Sequence, residues 1–486
     1  MLISWVDLLT GLSIISSVLL LFYTGYRLLQ KNNNALALLC LLFIAFGLRW
    51  YLARDGELHH WDEKYHALVA KHLVDDPLKP TLYQHPVLSY DQQNWVGNHI
   101  WLAKPPVALW GMALWIKLVG NTIWAVRIMS FIYGMLAILI TWSIAKKFFN
   151  LRIAYYAAFL HAIHGVLIEL IAGRTSSDHV ETALLFYVEL AVWIAAIFYE
   201  KKNKLLITVL VGIAAGLAFL SKWYPSGIIF PLWLLLMFYH FPRMKVRFFI
   251  THGLLLTLSF LVVTGLWVVY IAQHYPVEFM LIKNKFLGAY STAVENHSGG
   301  WYYYLQEMMI LYGELIYFVL VLVAFFIYKK TDQLKLSILL VWILIPLLIF
   351  SFGETKRHTY LLLCAPACFV LTAYVADYLL LKLKDYQLKG KLVISLCVFA
   401  LFALPIRFSM ERIKPFEHSL SANPDFYSKV SSFQNQYKAG DIISGTPYYI
   451  ELMYFTDVTA AYAFELDSIE ILSLQEQGFR IIHWSD

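Results

Sequence analysis

Residues 122–152 read TIWAVRIMSFIYGMLAILITWSIAKKFFNLR. The first part, 122–145, is apolar for longer than the roughly 20 residues an α-helix needs to cross a bilayer. It ends on Lys146 and Lys147, with Arg152 just beyond, as a helix end does at a cytoplasmic surface. The same pairing of apolar run and short basic cluster recurs outward in both directions. Candidate spans fall at about 6–29, 35–53, 122–145, 151–170, 180–199, 204–221, 225–240, 247–270, 306–328, 334–352, 359–380 and 391–408. The first of these lacks a basic start and is too long for the apolar core of a signal peptide, so it reads as a retained helix.

Composition agrees. Of 486 residues, 60% are apolar and only 14% are charged, where soluble proteins carry about a quarter charged residues. Lipid must be the solvent for most of that surface. The formal charge of +6 lies mostly in the inter-span clusters, with no basic stripe of interleaved aromatics, which excludes a nucleic-acid partner. Cys40, Cys364, Cys368 and Cys397 all fall within apolar runs and read as small hydrophobes, with no disulfide framework or metal site.

Six clusters fall on one side: Arg27/Lys31, Lys146/Lys147/Arg152, Lys201/Lys202/Lys204, Arg243/Lys245/Arg247, Lys329/Lys330/Lys335 and Lys382/Lys384/Lys389/Lys391. The positive-inside rule places that side in the cytoplasm. The opposite side receives the long segment 54–121, the turn Gly173–His179, the loop 271–305 and a tail from about 409 to 486. Both chain ends lie there as well. The tail mixes polar and apolar residues. Asn423-Pro424-Asp425 stands near its start, Ile442-Ile443 reads as a short strand between turns, Ser468–Gln477 as a helix and Arg480-Ile481-Ile482 as a last strand. The expected architecture is an all-α polytopic membrane domain (1–408) with about twelve spans and helices in its outer loops, followed by a small α/β domain (409–486).

The outer segments hold the candidate chemistry. Asp62 and Glu63 stand just past the end of a span. Two adjacent carboxylates there suit an aqueous cavity, where one can take a proton from an attacking group; an acidic helix N-terminus is the plainer reading. Lys104-Pro105-Pro106 precedes an apolar helix, Val107–Val119, too short to span. Lys104 can hold a lipid phosphate as a point charge, or be an ordinary interfacial lysine. Arg174 and Asp178 share a short turn, and either pair with each other or offer Asp178 as a second carboxylate. Lys222 lies at a sharp reversal before Pro225. Lys356, Arg357 and His358 oppose the positive-inside trend, which points to an anionic ligand on that face. Loop 271–305 adds Lys283, Lys285, Glu295, His297 and the aromatic run Trp301–Tyr304, the last an interfacial belt.

In order and spacing these residues resemble the C-type glycosyltransferase fold (GT-C), in the protein mannosyltransferase and aminoarabinose (lipid A) transferase branch. The resemblance rests on Asp62-Glu63 with Tyr65, Lys104-Pro105-Pro106 with Trp110, Arg127, Arg174 with Asp178, Lys222 with Pro225, and Lys356 with Tyr360 and Pro366. It covers roughly residues 40–375 and, weakly, the tail. It implies an enzyme that moves a sugar from a polyprenyl-phosphate donor, with inversion, at the periplasmic face of the inner membrane. The acceptor it implies is a glycolipid such as lipid A, or else a protein hydroxyl. Asp62 would be the general base or acceptor-positioning group, with Glu63 the alternative and Asp178 the second carboxylate. Lys104 would bind the donor phosphate, joined by Lys283 or Lys285 and by Lys222, Lys356 or Arg357. The aminoarabinose branch usually has Glu where this chain has Ala103, so a divalent metal site using that Glu is in doubt; no metal ligand is assigned, although His274 and His297 remain candidates. The span at 6–29 precedes the usual first helix.

A transporter of lipid-linked sugars is the competing class. His161, His164 and Glu169 within one span speak for it, but polar groups otherwise cluster at the outer ends of spans and no repeat is visible.

Overall fold

The computed structural model describes residues 4–60, 62–90, 98–200, 203–288, 290–417, 424–461 and 466–484. Trp61, Lys201, Lys202, Asn423 and the side chain of Glu295 lie outside that description.

The chain folds as α1 (Trp5–Gln30), α2 (Asn34–Ala53), α3 (Asp62–His72), α4 (Pro106–Val119), α5 (Ile123–Phe148), α6 (Leu151–Ile163), α7 (Gly165–Ile171), α8 (Asp178–Phe198), α9 (Lys204–Lys222) and α10 (Ile229–His240). These are followed by α11 (Val246–His274), α12 (Pro276–Gly288), α13 (Tyr303–Tyr312), α14 (Ile316–Tyr328), α15 (Gln333–Phe352), α16 (Ala365–Lys382) and α17 (Leu388–Ile413). Polar residues start many of them. Thr122 caps α5 by accepting from the Ala125 N–H, Asn150 caps α6 through the Arg152 and Ile153 N–H groups, and Asn203 caps α9 through Leu206. Each satisfies backbone donors that the first helical turn leaves open.

Among the described residues nine helices are long and apolar enough to cross a membrane, and two bent pairs bring the number to eleven. Their apolar side chains point outward as well as in. Leu254, Leu258 and Leu266 of α11 are more than half exposed, which is how a helix meets lipid. The α16 region is nearly enclosed by its neighbours. The expected span at 225–240 is short: a 3₁₀ turn (Tyr224–Ile228) leads into α10. Even so it joins Lys222, at one end of α9, to Phe241, whose ring lies 4.5 Å from the Lys204 ammonium at the other end.

Two expected spans are broken. The run 151–170 bends by 54° between α6 and α7. His164 leaves the helical region there, and its Nε2 lies 3.1 Å from the Leu311 carbonyl oxygen. The run 306–328 bends by 96° between α13 and α14. Gly313 makes that corner at φ 90°, where a Cβ would come within 3.0 Å of the Pro405 ring, so only glycine fits. Apolar composition marks such runs as spanning but carries no signal for the bend.

The tail forms α18 (Pro424–Gln436), β1 (Ile442–Ser444), α19 (Tyr449–Phe455), β2 (Thr459–Ala460), α20 (Ser468–Glu476) and β3 (Ile481–His483). The sheet order is β2-β1-β3, all parallel, with Ile442 opposite Thr459 on one side and Ile481 on the other. Parallel pairing needs crossovers, and α19 and α20 supply them.

This tail clasps α3. The Lys71 ammonium donates to the Met453 and Thr456 carbonyls, each at 2.8 Å, at the C-terminal end of α19, where carbonyls lack helical partners. Lys64 pairs with Glu451 at 3.3 Å, and the Tyr65 and Tyr449 hydroxyls share a hydrogen bond. Hydrogen bonds from a charged donor contribute roughly 1.5–3 kcal/mol. Lys71→Met should therefore speed amide exchange in α19 and α3 by tenfold or more while leaving α8 and α9 protected; unchanged exchange in α3 would show that the clasp does not hold it.

Candidate active site

The site begins with a buried ion knot. Arg127, on the first turns of α5, is fully enclosed, and its guanidinium is engaged on every side. Nε and Nη2 donate to the two Glu63 carboxylate oxygens at 2.7 and 3.0 Å. Nη1 donates to the Ala53 carbonyl at 2.7 Å and to Asp55 Oδ1 at 2.6 Å, and Nη2 to the Glu57 carbonyl at 2.6 Å. The guanidinium thus gathers the chain between α2 and α3 around itself, using the planar fork only arginine has.

His59 completes the knot. Its Nδ1 lies 2.8 Å from Glu63 and its Nε2 2.8 Å from Asp55. Burial favours the neutral ring, but Glu63 and Asp55 outweigh it and raise the His59 pKa. Burial likewise opposes ionised Glu63, yet Arg127 and His59 hold its carboxyl well below the usual range. Gly173, at φ 74°, passes so near that a Cβ would fall 2.2 Å from the Glu63 carboxylate. Any other residue there would collide with the knot.

One residue before Glu63, Asp62 faces the other way. Its Oδ2 accepts from the Lys104 ammonium at 3.3 Å and from the Ser177 backbone N–H at 2.6 Å. Ser177 stands before α8 in the left-handed region, φ 65°, a conformation that costs a non-glycine residue of order 1 kcal/mol or more and that aims its N–H at the carboxylate. The positive end of α8 reinforces the contact. Burial opposes the Asp62 charge, but Lys104, His66, the Ser177 N–H and Arg357 overcome it and depress its pKa strongly. Lys222, at the end of α9, is in electrostatic range of Lys104, Arg357, Asp62 and Asp178. It pairs with Glu181 and lies 5.1 Å from the Tyr360 ring. Trp223, directly after it, is also left-handed at φ 56°.

Asp178 is fully buried, with Oδ1 at 2.8 Å from His66 Nδ1. Its Oδ2 and the His66 Nε2 have no hydrogen-bond partner among the described residues. Residues from α3, the turn before α4, α8, α9 and the 353–360 segment therefore converge on one cluster: Asp62, His66, Lys104, Asp178, Lys222, Arg357 and Tyr360.

Other expected members lie elsewhere. Glu63 is locked in the knot. Arg174 pairs with Asp55, not with Asp178 as one sequence reading had it, and donates to the Leu52 carbonyl at 3.2 Å. Tyr65 faces the tail. Lys356 turns back on the end of α15, donating to the Phe350 and Ser351 carbonyls at 3.1 and 2.6 Å. Lys283 is exposed on α12 with no ion pair among the described residues, and Lys285 is half-buried on the same helix. His66, His59, Asp55 and Glu181 were not singled out from the sequence. The helical spacings Asp62–His66 and Asp178–Glu181 were the available signals.

Ala103, beside Lys104, is a buried methyl group without ligand chemistry. Among the described residues, Asp55, Glu57 and His59 alone bring three ligating groups together. The Arg127 and Arg174 guanidiniums already bond both Asp55 oxygens, so the place of a cation is filled and the group does not fit a metal.

Removing one partner of a buried pair costs about 3–5 kcal/mol. Arg127→Met and Arg127→Lys should both lose thermal stability on that scale, read as a lower unfolding temperature in detergent. Because the His59 pKa is higher in the fold than its ordinary 6.5, its contribution is complete below about pH 6.5 and is withdrawn as the pH rises through the folded value. Stability should fall with rising pH above neutrality, and His59→Gln should flatten that slope; an unchanged slope would place the titration elsewhere.

Residues 103–268 match the family model described as dolichyl-phosphate-mannose-protein mannosyltransferase. An undecaprenyl phosphate-alpha-4-amino-4-deoxy-L-arabinose arabinosyl transferase of Pseudomonas aeruginosa is 26% identical over 398 residues, 78% of this chain and 67% of that protein. Transferase 2 of the same description from Pseudomonas fluorescens is 25% identical over 70% of this chain, which spans 57% of its length. The structure of ArnT from Cupriavidus metallidurans bound to undecaprenyl phosphate superposes with a TM-score of 0.62 at 13% identity, over 92% of this chain and 89% of that one. The Archaeoglobus fulgidus oligosaccharyltransferase in its apo form gives 0.56 at 14% identity, over 87% and 64%. The chain is a polytopic membrane protein of the GT-C glycosyltransferase fold, similar in sequence to its mannosyltransferase and aminoarabinose transferase branch.

Proposed function

We propose that the chain transfers a sugar from a polyprenyl-phosphate donor to a glycolipid acceptor such as lipid A. The transfer takes place on the periplasmic face of the inner membrane, with inversion at the anomeric carbon. The observation that carries this reading is the Asp62–Lys104 pair at 3.3 Å, with Lys222 and Arg357 in electrostatic range. A carboxylate beside three cations at the end of a bundle suits a phosphate that must leave and an acceptor that must attack. The similar Pseudomonas proteins make a 4-amino-4-deoxy-arabinose donor the first to test.

In the proposed reaction the acceptor oxygen attacks the anomeric carbon from the face opposite the phosphate. The bond from that carbon to the phosphate oxygen breaks, and its electron pair leaves with the phosphate. Lys104, Lys222 and Arg357 stabilise that charge, the kind of preorganised electrostatics that often dominates catalysis. A hydroxyl acceptor gives its proton to Asp62. With the site empty, Lys104 holds Asp62 too acidic to be a good base. A bound phosphate neutralises Lys104 and relaxes that hold, so arrival of the donor itself raises the basicity of Asp62. Asp178 fixes His66 beside this carboxylate and keeps negative charge near the reacting carbon.

The family match to a protein mannosyltransferase favours a second acceptor class, a protein hydroxyl. Transport is less well supported, because the polar groups that suggested it bond across the bundle: His161 Nδ1 with Thr141 at 2.9 Å and Glu169 with Arg412 at 3.0 Å.

Transfer of label from radiolabelled undecaprenyl-phosphate sugars into membrane lipid and protein fractions tests the reading. Label should enter lipid, and Asp62→Asn and Lys104→Ala should each lower the rate by about 10²–10³-fold. Label in protein would move the acceptor to the second class. Full activity in both variants, normally inserted, would sink the assignment of this site.

A further inference from the structure

A cavity lies at the end of α9 opposite the Asp62 cluster. It has a volume of about 1100 Å³ and opens between the start of α9, the end of α10 and the start of α11. Because α9 ends at Lys222 in the candidate active site and begins at Lys204 beside this cavity, the two are separated by the helix length, about 27 Å at 1.5 Å per residue. Nothing in the proposed transfer uses this end.

Its walls are of two kinds. Leu205, Phe241, Met244 and Phe248 supply an apolar face, while Lys204, Arg243, Lys245 and Arg247 supply four cations. No Asp or Glu lines it, and among the described residues none of these four cations forms an ion pair. The nearest acid along the chain, Glu200, is taken by Lys147 and lies 3.7 Å from His240. Further in, His252 is 2% exposed and lines the cavity, with Nδ1 held by Thr208 at 2.6 Å. The N-terminus of α11, which has no side-chain cap, opens here as well. Four cations with no acidic partner among the described residues, on an apolar hollow at a membrane surface, are complementary to one kind of ligand, an anion carrying hydrocarbon.

We propose that this cavity is a binding site for an anionic phospholipid of the leaflet opposite the active site. The headgroup phosphate is held by Lys204, Arg243, Lys245 and Arg247, and the acyl chains lie along Leu205, Met244 and Phe248. The positive-inside pattern alone calls for basic residues at this end, but not for a hollow of lipid-headgroup size among them.

The test uses the full-length protein, purified in neutral detergent and returned to vesicles of phosphatidylcholine with or without phosphatidylglycerol. Native mass spectrometry reads bound lipid, and thermal unfolding reads stabilisation. Wild type should retain phosphatidylglycerol and unfold at a higher temperature with it. The triple variant Arg243→Gln/Lys245→Gln/Arg247→Gln should bind it about a hundredfold more weakly, each basic residue near an anionic headgroup being worth roughly fivefold. Since that variant also alters topology signals, Thr251→Trp serves as a second probe. It places an indole on the cavity wall, keeps all four cations, and should weaken lipid binding and its stabilisation alike. Undiminished phosphatidylglycerol binding by Thr251→Trp would overturn the proposal. So would equal stabilisation by millimolar inorganic phosphate in phosphatidylcholine vesicles, because a free anion would then account for the site without a lipid.

Discussion

The interaction on which the rest depends is the enclosed Arg127 guanidinium with the Glu63 carboxylate. Neither group is tolerable alone in that position, since a buried unpaired charge costs several kcal/mol. Together, with His59 and the carbonyls of Ala53 and Glu57, they fix where α3 leaves the bundle. Asp62 is the neighbour of Glu63 in sequence. Once Glu63 is pinned inward, the next residue back along the helix must point elsewhere, and Lys104 and the Ser177 N–H meet it there. Two adjacent carboxylates thus take two different environments, one sealed and one partly exposed.

A second constraint comes from the helix ends. Asp62 is met by the backbone N–H of Ser177, the left-handed residue just before α8, and Lys222 closes α9 against a left-handed Trp223. Strained backbone persists only where the surroundings over-determine it. Here the surroundings are the packed helices α8 and α9, which put both strained residues at the same end of that helix pair. Asp178 and Lys222 are therefore set by rigid spans, and Asp62, His66, Lys104 and Arg357 are brought to them by the segments between spans.

Much of this was legible in the sequence. Apolar runs and basic clusters marked the spans, because lipid forces every backbone polar group into a helix and leaves a strong compositional trace. Asp62, Lys104, Asp178, Lys222 and Arg357 stood out as charges where lipid would penalise them. What was not legible depended on contacts distant in sequence. Arg174 and Asp178 looked like partners because they share a turn, yet their partners come from residues 55 and 66. Lys356 looked like its neighbour Arg357, but an ammonium can fold back on helix-end carbonyls. The bends at His164 and Gly313 were hidden because composition reports apolarity and not direction.

The three turns of α3 are used on two sides. Asp62, Glu63 and His66 face the bundle, and Lys64, Tyr65 and Lys71 face the tail. The tail is consequently not a detachable module in the engineering sense. A chimera that exchanged residues 424–484 alone would meet a foreign α3 surface and leave the helix bearing Asp62 without its outer support. The transplantable unit is the tail together with α3.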